Sequence, residues 1–262
     1  MLPEVRWLRA ARLLPPQEGT ALKEMVVRRD PRLQALATCH DDTALLRLVA
    51  AEVVSAAFRA WYAVYEKIAM STDAARSLHD NTSVDDGGGC TLSSSLVYGE
   101  VDFFGFARVL EALAPQAGQI FYDLGHGTGR AVLAAALLHP QLTCVGIELV
   151  HALVKASWVA LDAMPLPNVI LEHGDILTHA AWWRDGDIVF VNCTCFTTDL
   201  FRAVEDRACR MKPGSLFVSL TKRLRRALPF TRRGQMKIRT SWGHETAFIY
   251  QKQDAPSSME AQ

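Results

Sequence analysis

The chain has 262 residues, 50% hydrophobic and 21% charged, a composition of folded globular proteins that excludes disordered, fibrous and collagen-like classes. The longest mostly apolar stretch, residues 44 to 65, is interrupted by Arg47, Glu52 and Arg59, so no segment offers the run of about 20 apolar residues that a bilayer helix needs, and a membrane partner is not expected. Six cysteines show no C-x-x-C pair and no histidines at zinc spacing, which argues for free thiols and no metal, while the net charge of zero hides an acid-free window holding Lys222, Arg223, Arg225, Arg226, Arg232, Arg233, Lys237 and Arg239.

From Thr43 to about Met70, apolar residues such as Leu45, Leu48, Val49, Val53, Ala57, Val64 and Ile68 recur at helical spacing behind a threonine N-cap, which predicts a long amphipathic helix. Residues 79 to 95, with the run Asp85-Asp86-Gly87-Gly88-Gly89, carry too little apolar surface to order themselves and are expected to be a mobile loop. It divides a helical N-terminal part, residues 1–95, from a catalytic part, 96–253, with 254–262 as a frayed tail. In the second part, apolar strands expected at 119–124, 143–147, 168–172, 187–192 and 214–220 alternate with helices at about 129–138, 150–163 and 198–211. Such alternation predicts an α/β fold whose parallel sheet is covered on both faces. Lys237 to Trp242 and Thr246 to Lys252 are expected to close the chain as a hairpin turning at Gly243-His244.

The chemistry centres on Tyr122-Asp123-Leu124-Gly125-His126-Gly127-Thr128-Gly129-Arg130, an apolar strand running into a glycine-rich turn and then a helix, the geometry that lets a ligand approach backbone N–H groups. The spacing departs from the dinucleotide fingerprint G-x-G-x-x-G, because Arg130 stands in the third position and glycine comes one residue early. An acid two residues before the first glycine suits S-adenosylmethionine, whose cationic amino group can reach Asp123 or the neighbouring carbonyls, whereas it would repel a pyrophosphate. The next strand ends in Glu148, where a carboxylate can accept both ribose hydroxyls. The third is followed by Gly174-Asp175-Ile176, where a carboxylate or carbonyl can hold an adenine amino group under an apolar cover. Taken alone, Asp175 reads as a cap for the next segment.

Further elements complete a pattern: Val97-Tyr98-Gly99-Glu100 before an apolar helix, Gly146-Ile147-Glu148, Glu172-His173-Gly174-Asp175, Phe190-Val191-Asn192-x-x-x-Phe196, Met211-Lys212-Pro213-Gly214, and Ser241-Trp242 before a terminal strand. In this order they resemble the disruptor-of-telomeric-silencing family, the non-SET histone methyltransferases that modify a lysine in the globular core of histone H3; in its short length the chain is most similar to the family's compact protozoan members. The resemblance covers roughly residues 80 to 252 and implies a class I S-adenosylmethionine-dependent methyltransferase, a Rossmann-like, doubly wound, seven-stranded sheet with a helical N-terminal extension. It implies S-adenosylmethionine as cofactor, the nucleosome as partner and the nucleus as location. Residue by residue, Tyr98, Gly99 and Glu100 resemble the loop over the methionine end of the cofactor, Asp123, Gly125, Gly127 and Gly129 the cofactor turn, Glu148 the ribose acid, and Asp175 with Ile176 the adenine site. Asn192 resembles the active-site asparagine beside the transferring methyl, Phe196 an aromatic wall of the lysine channel, and Trp242 a further wall.

Three departures bear on affinity and product state: His126 replaces a small residue, Ile176 an aromatic and Cys193 a second asparagine. Phe103, Phe104 and Phe106 are expected to pack onto the sheet. Lys222, Arg223, Arg225, Arg226, Arg232 and Arg233 are expected to meet DNA phosphate or an acidic nucleosome surface, and residues 222–226 also resemble a nuclear localisation signal.

Overall fold

The computed structural model describes residues 54, 56–68, 100–178, 183–241 and 243–254. The expected loop at 79–95 and the tail beyond 254 lie outside the described residues, as does the expected helix before residue 54. Helix α1 covers 56–68. The chain then runs through α2 (Phe103–Leu113), β1 (Ile120–Leu124), α3 (Arg130–Leu138), β2 (Thr143–Glu148), α4 (His151–Ala163), β3 (Val169–His173), a 3-10 turn at Trp183–Asp185, β4 (Ile188–Val191), α5 (Thr198–Ala208), β5 (Leu216–Leu220), β6 (Phe230–Thr240) and β7 (Gly243–Lys252). The expected alternation is observed, with element ends displaced by at most three residues.

One seven-stranded sheet has the order β3-β2-β1-β4-β5-β7-β6, in which β1 to β5 are parallel and β7 is antiparallel to both neighbours. Strand residues alternate between two cores, as a period of two requires. Phe121, Cys144, Phe190, Val218 and Ile249 face a core shared with α1 to α4, while Tyr122, Val145, Val189, Phe217 and Phe248 face one shared with α5 and Trp183. Both faces are covered, which is why the central strands read as unbroken apolar runs.

Helix α2 starts where Asp102 accepts a hydrogen bond from the Gly105 N–H at 3.0 Å. It buries Phe103 and Phe106 and leaves Phe104 exposed. Helix α1 contributes Ala57, Trp61, Tyr65 and Ile68 to the same core. The expected stripe included Ala57 and Ile68 but passed over the two aromatics between them. Trp183 is buried and donates through Nε1 to the Ile176 carbonyl at 3.0 Å, a packing role.

The terminal hairpin differs from expectation. β6 begins at Phe230, inside the basic window, and Thr240 pairs with Gly243, so the turn falls before Gly243 instead of at Gly243-His244. Ile238 and Thr240 are buried while Gln235, Lys237 and Arg239 are exposed, the alternation of an edge strand with charges toward water. The charge run masks this strand because only every second residue is apolar or small.

Candidate functional site

Chain order reverses direction across the sheet between β1 and β4, and open α/β sheets bind ligands beyond the carboxyl ends of strands at such a switch point. Asp123, Glu148 and Asn192 all come from strand ends there, and Asp175 follows two residues after β3. The turn after β1 is a run of left-handed glycines, with φ of 78° at Gly125, 59° at Gly127 and 87° at Gly129. It is bolted to β2, since the Gly125 and His126 N–H groups donate to the Ile147 carbonyl at 2.8 and 3.2 Å. A Cβ on Gly125 would sit 3.8 Å from Phe196 Cζ and 4.0 Å from Glu148 Oε2, so this glycine keeps open the space between those two side chains.

The electrostatics are those of a cleft built for cationic and hydroxyl groups. Asp123 is 1% exposed, and among the described residues its Oδ2 has no hydrogen-bond partner. Burial first, and the Glu148 charge second, push its pKa up to about 8. Glu148 is also raised by burial, and its two oxygens accept from the Val150 N–H at 2.8 Å and the Gly127 N–H at 2.9 Å. Each oxygen retains a lone pair for a further donor. Asp175 Oδ1 accepts from the Leu177 N–H at 2.7 Å, a local turn that leaves the second oxygen available, and Ile176 is buried behind it. A buried acid with one unsatisfied oxygen, two carboxylates with spare acceptor capacity and a glycine-lined opening fit the charges and hydroxyls of S-adenosylmethionine.

Glu100, expected in the cofactor loop, has partners within the protein. Its carboxylate pairs with Arg130 Nε at 2.6 Å and accepts from Thr128 Oγ1 at 3.1 Å, so it acts on the turn itself. Arg130 in turn lies over the rings of Trp61 and Tyr65, 5.0 and 4.5 Å from their centroids. Tyr65 donates to the Thr128 carbonyl at 2.9 Å and Trp61 Nε1 to the Arg130 carbonyl at 3.0 Å. Sequence reasoning missed this grip of α1 on the cofactor turn; aromatics four residues apart in the helical stripe were the available signal.

His126 is buried with its ring filling the gap left by Gly146, where any Cβ would come within 3.0 Å of it. Burial lowers its pKa to about 4, so it is a neutral wedge in the turn and adds no charge to the cleft.

On the other side of the switch point, Asn192 is half-buried after β4 and Phe196 closes a turn on the Cys193 carbonyl at 3.1 Å. Cys193 donates its thiol to the Leu220 carbonyl at 2.9 Å, and burial pushes its pKa up to about 12. Tyr98, Gly99 and Trp242 lie outside the described residues. Their neighbours do meet: the Glu100 N–H donates to Ser241 Oγ at 3.1 Å, and the Ser241 N–H donates to the Glu100 carbonyl at 2.9 Å.

The cations of the basic window are divided between two ends of the sheet. Arg225 is a structural counter-ion: its Nε pairs with the buried Glu205 at 2.6 Å and its Nη2 with Asp206. Arg232 pairs across the ladder with Tyr250, toward the end of the sheet opposite the cleft, whereas Lys237 and Arg239 pair with Thr246 and His244 at the cleft end. Lys222 and Arg223 follow β5 at that same cleft end, with Arg223 over the Phe248 ring.

Sheet order, glycine turn and strand-end acids define a class I S-adenosylmethionine-dependent methyltransferase. Among solved structures, the chain is similar to TrmN from Thermus thermophilus, with 18% identity and a TM-score of 0.52 over 62% of this chain and 52% of that one. The chain thus spans about half the length of TrmN. It is also similar to an RNA methyltransferase from Salinibacter ruber in complex with S-adenosyl-L-homocysteine, with 22% identity and a TM-score of 0.48 over 60% of this chain and 95% of that one. The family model for the histone methylation protein DOT1 matches residues 90–242, and the chain belongs to that family. S-adenosylmethionine is its cofactor.

Proposed function

We propose that this chain transfers a methyl group from S-adenosylmethionine to the ε-amine of a lysine in the globular core of nucleosomal histone H3, and that it works in the nucleus. Membership of the DOT1 histone methylation family is the observation that carries the reading. The cofactor, when bound, supplies an electrophilic sulfonium methyl. Asp123 offers a buried, unpartnered acceptor whose ionised form a cationic group restores. Glu148 orients hydroxyls from a position fixed by two backbone N–H groups. Asp175 and Ile176 hold an adenine edge and cover its face.

Asn192 and Phe196 occupy the side from which an amine must come, Phe196 lying next to the Gly125 opening. Lysine has to arrive neutral, and a narrow aromatic channel achieves this by desolvation, which lowers an amine's pKa. No dedicated base is needed, and Glu100, bonded to Arg130 and Thr128, is not one. Tyr98 and Gly99 precede Glu100 and Trp242 follows Ser241 in sequence, and their proposed roles are those the family resemblance implies, contact with the methionine end of the cofactor and with the lysine. Lys222, Arg223, Lys237 and Arg239 are the cations set to meet DNA phosphate or an acidic histone surface.

The test is mass spectrometry of recombinant nucleosomes incubated with the chain and isotopically labelled S-adenosylmethionine. A methyl increment on an H3 core peptide supports the proposal. Label only on RNA, on small amines or on nothing, with cofactor still bound, would replace it by another methyltransferase or an inactive cofactor-binding module.

A further inference from the structure

Helix α5 buries Phe201, Val204 and Ala208 in the second core, and Glu205, 1% exposed, lies on the same stripe. An apolar side chain there would simply complete the packing, whereas a buried carboxylate costs stability unless it is paired and hydrogen-bonded. Both of its oxygens go to one residue. Oε2 pairs with Arg225 Nε at 2.6 Å, and Oε1 accepts from the Arg225 backbone N–H at 2.8 Å. Glu205 thus fixes the chain at position 225 as well as the side chain.

The residues before Arg225 are pinned one by one. Ser219 donates through Oγ to the Lys222 carbonyl at 2.7 Å, and the Arg223 guanidinium lies 5.0 Å from the centroid of the Phe248 ring. Leu224 is buried, and its N–H donates to the Tyr250 hydroxyl at 3.2 Å. The Leu228 N–H then closes the turn on the Arg225 carbonyl at 3.3 Å. Arg223 and Arg226 are exposed on this turn, which follows β5 at the cleft end of the sheet. A loop that must become ordered when it meets a partner subtracts that ordering from the affinity. Residues 222–225 are ordered already, by groups that the core supplies.

We infer that Glu205 is a positioning residue for nucleosome docking: together with Ser219 and Tyr250 it holds residues 222–226 as a pre-ordered turn from which Arg223 and Arg226 meet the anionic surface of the nucleosome. The inference rests on the reading that the substrate is a nucleosome.

The sign of one effect separates this role from plain charge attraction. Glu205→Ala removes a negative charge from beside the turn, so cations acting only through their charge would bind the polyanionic nucleosome more tightly in the variant. A positioning role requires weaker binding. The experiment uses the full chain and recombinant nucleosomes, and measures nucleosome affinity at one salt concentration, a cofactor isotherm, and single-turnover methyl transfer at saturating nucleosome and S-adenosylmethionine. Glu205→Ala should weaken nucleosome binding by about fivefold or more, the order of the cost of immobilising one or two long side chains. Cofactor affinity and transfer at saturation should stay within about twofold of wild type, because a docking residue acts on KM and not on kcat. Glu205→Gln can still accept from the Arg225 N–H and should fall between Glu205→Ala and wild type. Tyr250→Phe removes the acceptor of the Leu224 N–H without altering charge and should weaken nucleosome binding in the same way; it decides the question should Glu205→Ala fail to fold.

Nucleosome affinity at or above that of wild type in Glu205→Ala overturns the inference. So does a loss matched by an equal loss of cofactor affinity, which would make Glu205 a general support of the fold. The underlying reading is judged on the wild-type chain. Cofactor binding without any binding or methylation of nucleosomes removes the reading and the inference together, whereas methylated nucleosomes beside undiminished docking of Glu205→Ala remove the inference alone.

Discussion

At the cofactor end of the cleft, the turn after β1 is gripped by buried groups: the Tyr65 hydroxyl on the Thr128 carbonyl, the Glu100–Arg130 pair and the two aromatic rings beneath Arg130. At the end of the cleft where we propose the amine enters, Asn192 is held through Thr194 and Thr221, side chains that solvent reaches. Polar contacts gain strength when water is excluded, and an unsatisfied group there is costly. Substitutions at the first region should therefore change cofactor affinity and stability both, in the same or in opposite directions, while those at the second should move turnover alone.

The sharpest way to break the comparison is Gly125→Arg. Its side chain would enter the gap between Phe196 and Glu148 from a left-handed backbone position and bring a cation toward a cationic ligand. Calorimetry should detect no S-adenosylmethionine binding, with circular dichroism showing a folded chain; retained affinity would contradict the location of the cleft.

Asp123→Asn comes next and should move affinity and stability in opposite directions. Burial raises the folded-state pKa of Asp123 from an ordinary 3.8 to about 8, so folding takes up a proton between those values. Without cofactor, this group costs the folded chain stability as pH rises through that window. At pH 8 the asparagine variant should therefore melt a few degrees higher than the wild type, while binding S-adenosylmethionine at least about 100-fold more weakly. The difference in melting temperature should shrink toward pH 4, and a thermal-shift series across that range reads it.

Tyr65→Phe, a smaller change, removes one buried hydrogen bond from the underside of the turn. It should lower stability by about 1 kcal/mol and weaken cofactor binding about fivefold. An unaltered isotherm in a destabilised variant would reduce α1 to a packing element.

The smallest effects concern nucleosome binding, where the two ends of the sheet near β6 make a controlled pair. Neutralising Arg223 and Lys237 at the cleft end should lower the slope of log affinity against log salt by about 0.9 for each phosphate that is no longer neutralised. Neutralising Arg232 and Arg233 at the far end should leave the slope unchanged. Equal effects from the two pairs would mean that DNA is bound without regard to the cleft.

The parts of the molecule legible in sequence are those governed by local rules. β1, β2, β4 and β5 read as apolar runs because they are covered on both faces, and the glycine turn with its strand-end acids is set by spacing along the chain. What stayed hidden depends on partners distant in sequence. Tyr65 meets the turn across 63 residues, and Glu205 neutralises Arg225 across 20, so neither pairing leaves a local pattern. β6 was obscured by its own charges, since an edge strand carries cations on the face it shows to water. Glu100 was recognised through its motif, but its bonds to Arg130 and Thr128 emerge only when β6 and the segment before α2 come together.

The division of labour is tested most directly on Asn192→Ala, measured in one preparation by a cofactor isotherm and by single-turnover methylation of nucleosomes at saturating S-adenosylmethionine. The expected result is affinity within about twofold of wild type and transfer reduced by at least about tenfold, as the role proposed for the asparagine in the transition state requires. Undiminished transfer, or a loss explained wholly by weaker cofactor binding, would contradict the account.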